Sequence, residues 1–273
     1  MRSVAVAAAL LLAAASARAH DFWIEPSTFH PAPGVTVAVG LRVGQDFIGD
    51  PVPRASDYIA SFSVRQNGAD RDIGGTDRID PAGFLRADAS ATAVISYAST
   101  GAYIELPPDA FEDYLRLYGL DDIVASRAGR GERNKPGRER FYRYAKALLT
   151  GLEPSASVTR PLGLDYEIVP DFDPTPRLAP FRGRVLYGGK PLANAPVAAL
   201  LRGQPGVHLA THSDAQGAIT LALPCAGVWL IKSVHMVRAS FFAREDWDSF
   251  WASLTFEIPE PKPTPEPKPE SKP

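Results

Sequence analysis

Three residues open the question of chemistry: His20, His235 and Tyr142. His20 follows Ala17-Arg18-Ala19, which reads as an A-x-A cleavage site. Ahead of it lie Arg2 and an unbroken apolar run from Val4 to Ala15. A basic start, a short apolar stretch and a small-residue exit mark a Sec signal peptide, and the run is too short to span a bilayer comfortably. Cleavage after Ala19 makes His20 the mature N-terminus. Its α-amine and imidazole Nδ1 then close one chelate ring on a metal ion. The amine titrates near pH ~7.7–8.0, so it is accessible as a neutral donor. One further imidazole would complete a three-nitrogen, T-shaped histidine brace, a geometry suited to copper. The plainer reading is a solvent-exposed His20 with no role, since signal peptidase tolerates many residues there.

His235, in Val234-His-Met236 at the end of the segment starting at Gly227, is the candidate partner. Its plainer reading is a satisfied strand histidine. Tyr142 and Lys146 fall at i and i+4, on one face if the segment is helical, and Tyr142 is a candidate weak fourth ligand. His208 and His212 form H-x-x-x-H, but on a strand four residues span ~13 Å, too far for one metal. They read as surface residues beside a hairpin, and His30 as an exposed turn residue. Trp247 and Trp251 share helical spacing, and form either a sugar platform or a core plug. The single cysteine, Cys225, excludes an intrachain disulfide and a thiolate cage, and reads as a small buried residue. No G-x-S-x-G, Walker A, G-x-G-x-x-G or H-E-x-x-H occurs, and no carboxylate pair stands out as a glycosidase acid and base.

The elements that must position these residues are mostly short strands. The chain has 273 residues, 45% of them hydrophobic, and a formal net charge of −2. That near-neutrality argues against nucleic-acid binding. The 26 Pro and 22 Gly suit many turns rather than a helical bundle. Strand patterns cover 35–43, 58–64, 93–97 and 102–106. Phe111, Tyr114, Leu115 and Tyr118 then mark a helix ended by Gly119, and a second helix is read from Leu120 to about Ala128. A third is read from Glu139 to Leu149 on Phe141, Tyr144, Ala145 and Leu148. Strands resume at 181–187, 196–201, 218–223, 227–236 and 254–258, with Gly188-Gly189 as a hairpin turn.

The expected fold is mainly β: two β-sandwich domains, Ig-like or transthyretin-like, with a helical insertion in the first. The expected boundaries are a signal peptide at 1–19, an N-terminal β domain at 20–176 with its insertion at about 108–151, and a C-terminal sandwich at 177–258. The segment 259–273 alternates Pro with Glu and Lys and reads as a disordered tail.

Several segments together resemble a known family: Ala19-His-Asp-Phe-Trp-Ile-Glu-Pro26, Val43-Gly44, Pro51-Val-Pro53, Arg140-Phe-Tyr-Arg-Tyr-Ala-Lys-Ala-Leu148, Gly227-Val-Trp-Leu-Ile-Lys-Ser-Val-His-Met236 and Trp247-Asp-Ser-Phe-Trp-Ala-Ser-Leu-Thr-Phe256. The chain is similar to the exported bacterial family of unknown function formerly labelled the NikM-like substrate-specific component of nickel uptake. The resemblance spans about His20 to Pro259. It implies a periplasmic protein associated with nickel or cobalt, and makes His20 and His235 the best ligand candidates. NikM-type uptake components span the membrane repeatedly, and this sequence has no spanning segment.

The expectation is therefore a soluble periplasmic protein that binds Cu, Ni, Co or Zn through His20, His235 and Tyr142, in metal uptake or handling. It is expected not to be an enzyme, and its partner would be an outer- or inner-membrane metal transporter. The alternatives are a copper histidine-brace oxidoreductase and a non-metal module binding an envelope glycan or protein.

Overall fold

Residues 20–260 are described by the computed structural model. The expected signal peptide and all of the expected tail beyond Glu260 lie outside the described residues. Strands β1 (Asp21–Pro26), β2 (Thr36–Gln45), β3 (Ile48–Pro51), β4 (Ile59–Gln66), β5 (Ala69–Asp72), β6 (Gly83–Arg86), β7 (Ala93–Ser99) and β8 (Ala102–Leu106) come first. Helices α1 (Pro108–Leu117) and α2 (Asp121–Gly129) follow. The second half holds β9 (Gly137–Leu149), β10 (Tyr166–Pro170), β11 (Phe181–Tyr187), β12 (Lys190–Pro191), β13 (Pro196–Leu201), β14 (Gln204–His212), β15 (Ala218–Leu221), β16 (Gly227–Arg238) and β17 (Trp247–Ile258).

These strands make three sheets, and the fold is mainly β with two inserted helices. The largest sheet has nine strands in the order β14-β13-β16-β17-β9-β7-β4-β5, with β8 also on β9. Its neighbours run antiparallel except at β17–β9, where Trp247 to Thr255 lie parallel to Glu139 to Ala147. That seam joins a strand of the expected N-terminal domain to one of the expected C-terminal domain. A sheet of β1, β2, β3 and β6 covers one face, here the front; a sheet of β10, β11, β12 and β15 covers the back. The two sandwich layers thus share one central sheet. The stretch Asp171 to Pro176, which runs up to the expected domain boundary, joins β10 to β11, which pair antiparallel.

Side-chain alternation along each central strand sends neighbouring residues to opposite faces. On β9, Ala145, Ala147 and Leu149 pack in front with Phe22, Ile24 and Val39. Tyr144 and Leu148 pack behind with Tyr166, Phe181 and Phe256. Both helices lie in front, where Phe111, Leu115 and Ile123 meet Val234, Met236, Trp247 and Trp251. Gly119, at φ +69, turns the chain out of α1. The hairpin turn holds, with Gly188 and Gly189 at φ +56 and +73 linking β11 to β12.

One element differs from the sequence expectation. Residues 139–149 form β9, not a helix, so the helical insertion ends at Gly129. A strand in mid-sheet is buried on both faces, and its near-continuous apolar run can be matched to helical spacing by coincidence. Tyr144 to Leu149 is such a run, buried throughout. Lys146 sits inside it because its ammonium donates to Glu167 at 2.8 Å, both side chains being at most 3% exposed.

Candidate functional site

His20 is half-buried, its Nδ1 shielded from solvent, and β1 starts at the next residue. Asp21 pairs with Gly44 in the β1–β2 ladder. The Asp21 side chain reaches the front of the central sheet, where Lys232 Nζ donates to Oδ2 at 2.6 Å. Asp21 is only 3% exposed. Burial raises its carboxyl pKa above the usual range, opposed by Lys232. The Lys232 ammonium also lies over the Tyr118 ring, 5.1 Å from its centroid. Burial, helped by Asp21, pushes the Tyr118 phenol well up, and Gln45 hydrogen-bonds its hydroxyl.

Asp21 and Lys232 border a cleft of about 250 Å³ on the front face. The end of α1 supplies one wall through Leu117 and Tyr118, while Ala198, Ala210, His208 and His212 lie along β13 and β14. Trp251 and Ser253 of β17 complete it. Two buried oxygens at this cleft, Asp21 Oδ1 and Ser253 Oγ, have no hydrogen-bond partner.

His235 lies elsewhere. It is three residues from Lys232 on one strand, so alternation turns it to the back. There its ring meets Tyr187 at 4.7 Å and Tyr166 at 6.0 Å, both residues of the back sheet. Burial lowers its pKa, which favours the neutral imidazole. His235, Phe250 and Tyr142 are register partners across β16, β17 and β9. The rings of Tyr142 and Phe250 stack at 5.3 Å with 12° between their planes, and Tyr187 closes on Phe250 edge-on at 5.0 Å. Burial also raises the Tyr142 pKa, so its phenol is a poorer anionic ligand.

The structure therefore brings His235 and Tyr142 to one face and His20 to the other. A centre using all three is not assembled, because the central sheet stands between them. Among the described residues, no group of three or more His, Cys, Asp or Glu side chains is placed to hold a metal ion. His208 and His212, read from sequence as surface residues, lie on an edge strand and share the cleft with Asp21. Trp247 and Trp251 are 2% and 8% exposed and pack against the helices, so they plug a core and offer no sugar platform. Cys225 is half-buried.

Sequence reading missed Asp21, Lys232, Tyr118 and Ser253. A signal for Lys232 was available: a lysine inside Val228-Trp-Leu-Ile-Lys-Ser-Val is expected to be paired, since an unpaired ammonium there is costly. Glu139 was missed too. It is fully buried beneath α1, with Tyr114 Oη donating at 3.0 Å and Ser249 Oγ donating as well. Burial pushes its carboxyl up to about 7.

No curated protein matches the chain. Among solved structures, the D0-D1 domain of intimin is similar over 86% of this chain and 97% of that chain, at 14% identity and a TM-score of 0.19. At that score the likeness carries no argument. A family model matches residues 17–237, a span that holds His20, Asp21, Tyr118, Tyr142, Lys232 and His235, and the chain thus belongs to the family described as Domain of unknown function (DUF4198).

Proposed function

We propose that this is an exported, periplasmic, non-enzymatic binding protein that takes a transition-metal ion, Cu, Ni, Co or Zn, at its processed N-terminus. The α-amine and, once the ring turns its shielded Nδ1 outward, the imidazole of His20 would hold the ion as a two-nitrogen chelate and leave positions open for exchange with a membrane transporter. The supporting observation is the anchoring of His20. It stands at the head of a laddered strand whose first residue is tied to Lys232 at 2.6 Å. Such anchoring lowers the entropy cost of presenting both nitrogens to one ion. The copper oxidoreductase reading needs a third nitrogen from His235, which faces away, and is not carried forward.

The test is titration of correctly processed protein with Cu(II) and Ni(II) by calorimetry. Comparison proteins carry His20→Ala or an acetylated His20 α-amine. Both changes should lower affinity at least tenfold, because each removes one of the two chelating nitrogens. Equal affinity in all three proteins would refute the proposal. His235→Ala should leave the affinity unchanged.

A further inference from the structure

The front cleft has the composition of a binding site independent of any metal. Its walls are largely apolar: Phe22, Leu117, Tyr118, Val234 and Trp251. Small residues, Ala198 and Ala210, border the space on β13 and β14. At about 250 Å³ it falls just under the ~300–1,000 Å³ of pockets for drug-sized ligands, so its occupant is a smaller molecule.

The polar groups at its base are specific. Lys232 Nζ spends one donor on Asp21 and keeps others, its side chain being 20% exposed at the cleft. Asp21 Oδ1 and Ser253 Oγ are buried without partners. A buried oxygen left unpaired costs roughly 1–3 kcal/mol, and native structures keep such atoms where something else satisfies them. An occupant that donates to Asp21 and accepts from Lys232 and Ser253 would meet all three groups. Asp21 and Lys232 already neutralise each other, so a ligand with net charge would bring an uncompensated charge into an apolar cleft. A net-neutral headgroup with both a cationic donor and an anionic acceptor answers each demand.

We infer that the cleft between α1, β1 and the β13–β14–β16 surface binds a free amino acid with an apolar side chain. The ligand ammonium faces Asp21, its carboxylate faces Lys232 and Ser253, and its side chain lies against Leu117, Tyr118 and Trp251.

Calorimetry on metal-free processed protein tests this with L-leucine and L-phenylalanine. Isovalerate, which lacks the ammonium, and isoamylamine, which lacks the carboxylate, serve as charged controls. The amino acids should bind at least tenfold more tightly than either control. Ala198→Phe, which fills the cleft and leaves both charges in place, should abolish binding while circular dichroism shows the native fold. Ser253→Ala should weaken binding several-fold. Equal binding of isovalerate or isoamylamine would overturn the proposal by showing that the headgroup is not read. Absence of binding by either amino acid would overturn it in favour of a water-filled cleft. His20→Ala should leave amino-acid binding intact, so this inference and the metal reading fail separately.

Discussion

Lys232 and His235 stand three residues apart on β16, yet their surroundings differ in kind. Lys232 faces the front, paired to a carboxylate that is 3% exposed, beside two oxygens without partners. His235 faces the back, among Tyr187, Phe250 and Tyr142, where Tyr142 stacks on Phe250 and Tyr187 closes edge-on. The first setting leaves polar demand unmet inside an apolar wall, as a ligand site does. The second is dominated by ring contacts, although Asp248 Oδ1 nearby is also buried without a partner. Residue types alone would rank them the other way, since histidine and tyrosine look more like chemistry than lysine in a strand. The lesson is that a shared apolar cleft bringing Asp21, Lys232 and Ser253 together, not residue type, separates the two.

That contrast can be broken or sharpened by four measurements. Lys232→Met strands a buried carboxylate, so chemical denaturation should show a loss of about 3–5 kcal/mol. Adding Asp21→Asn should restore part of it; a loss under ~1 kcal/mol in the single variant would show that the pair does not anchor β1. Glu139, also in front, should make stability depend on pH. Its folded pKa of about 7 lies above its ordinary 4.5, so the native state binds the extra proton between these values. The contribution is fully present below about pH 4.5 and is lost as pH rises through about 7. It amounts to about 3 kcal/mol at ~1.4 kcal/mol per pK unit, and Glu139→Gln should flatten the slope. An unchanged slope would mean that Glu139 does not titrate in that window. On the back face, His235→Ala should cost about 1 kcal/mol through lost ring packing. Tyr142→Phe keeps the stacked ring and should stay within ~0.5 kcal/mol by thermal unfolding. A large effect at either back-face residue would erase the distinction between the faces.

Much of the fold was legible. The strands at 181–187 and 196–201 coincide with β11 and β13, and the Phe111–Tyr118 spacing marks α1 and its end at Gly119. These are local signals, set by alternation, helical spacing and glycine conformation. Residues 139–149 were misread because burial on both faces erases the alternation that identifies a strand. His20 was singled out as an expectation, through the cleavage pattern that precedes it. Asp21 and Lys232 were not, because their contact joins residues 211 positions apart. His208 and His212 do lie on one strand, but their place beside the cleft follows from β14 pairing with β13.

By itself the sequence determined a mainly β chain and the helices at 108–117 and 121–129. It did so because those properties depend on near neighbours along the chain. Only the tertiary structure decided that His20 and His235 face apart, and that Asp21, Lys232 and Ser253 come together at one cleft. Facing is decided by the parity of residues on β16 and by which sheet covers which side. Those depend on the pairing of strands distant in sequence, above all the parallel seam of β17 with β9.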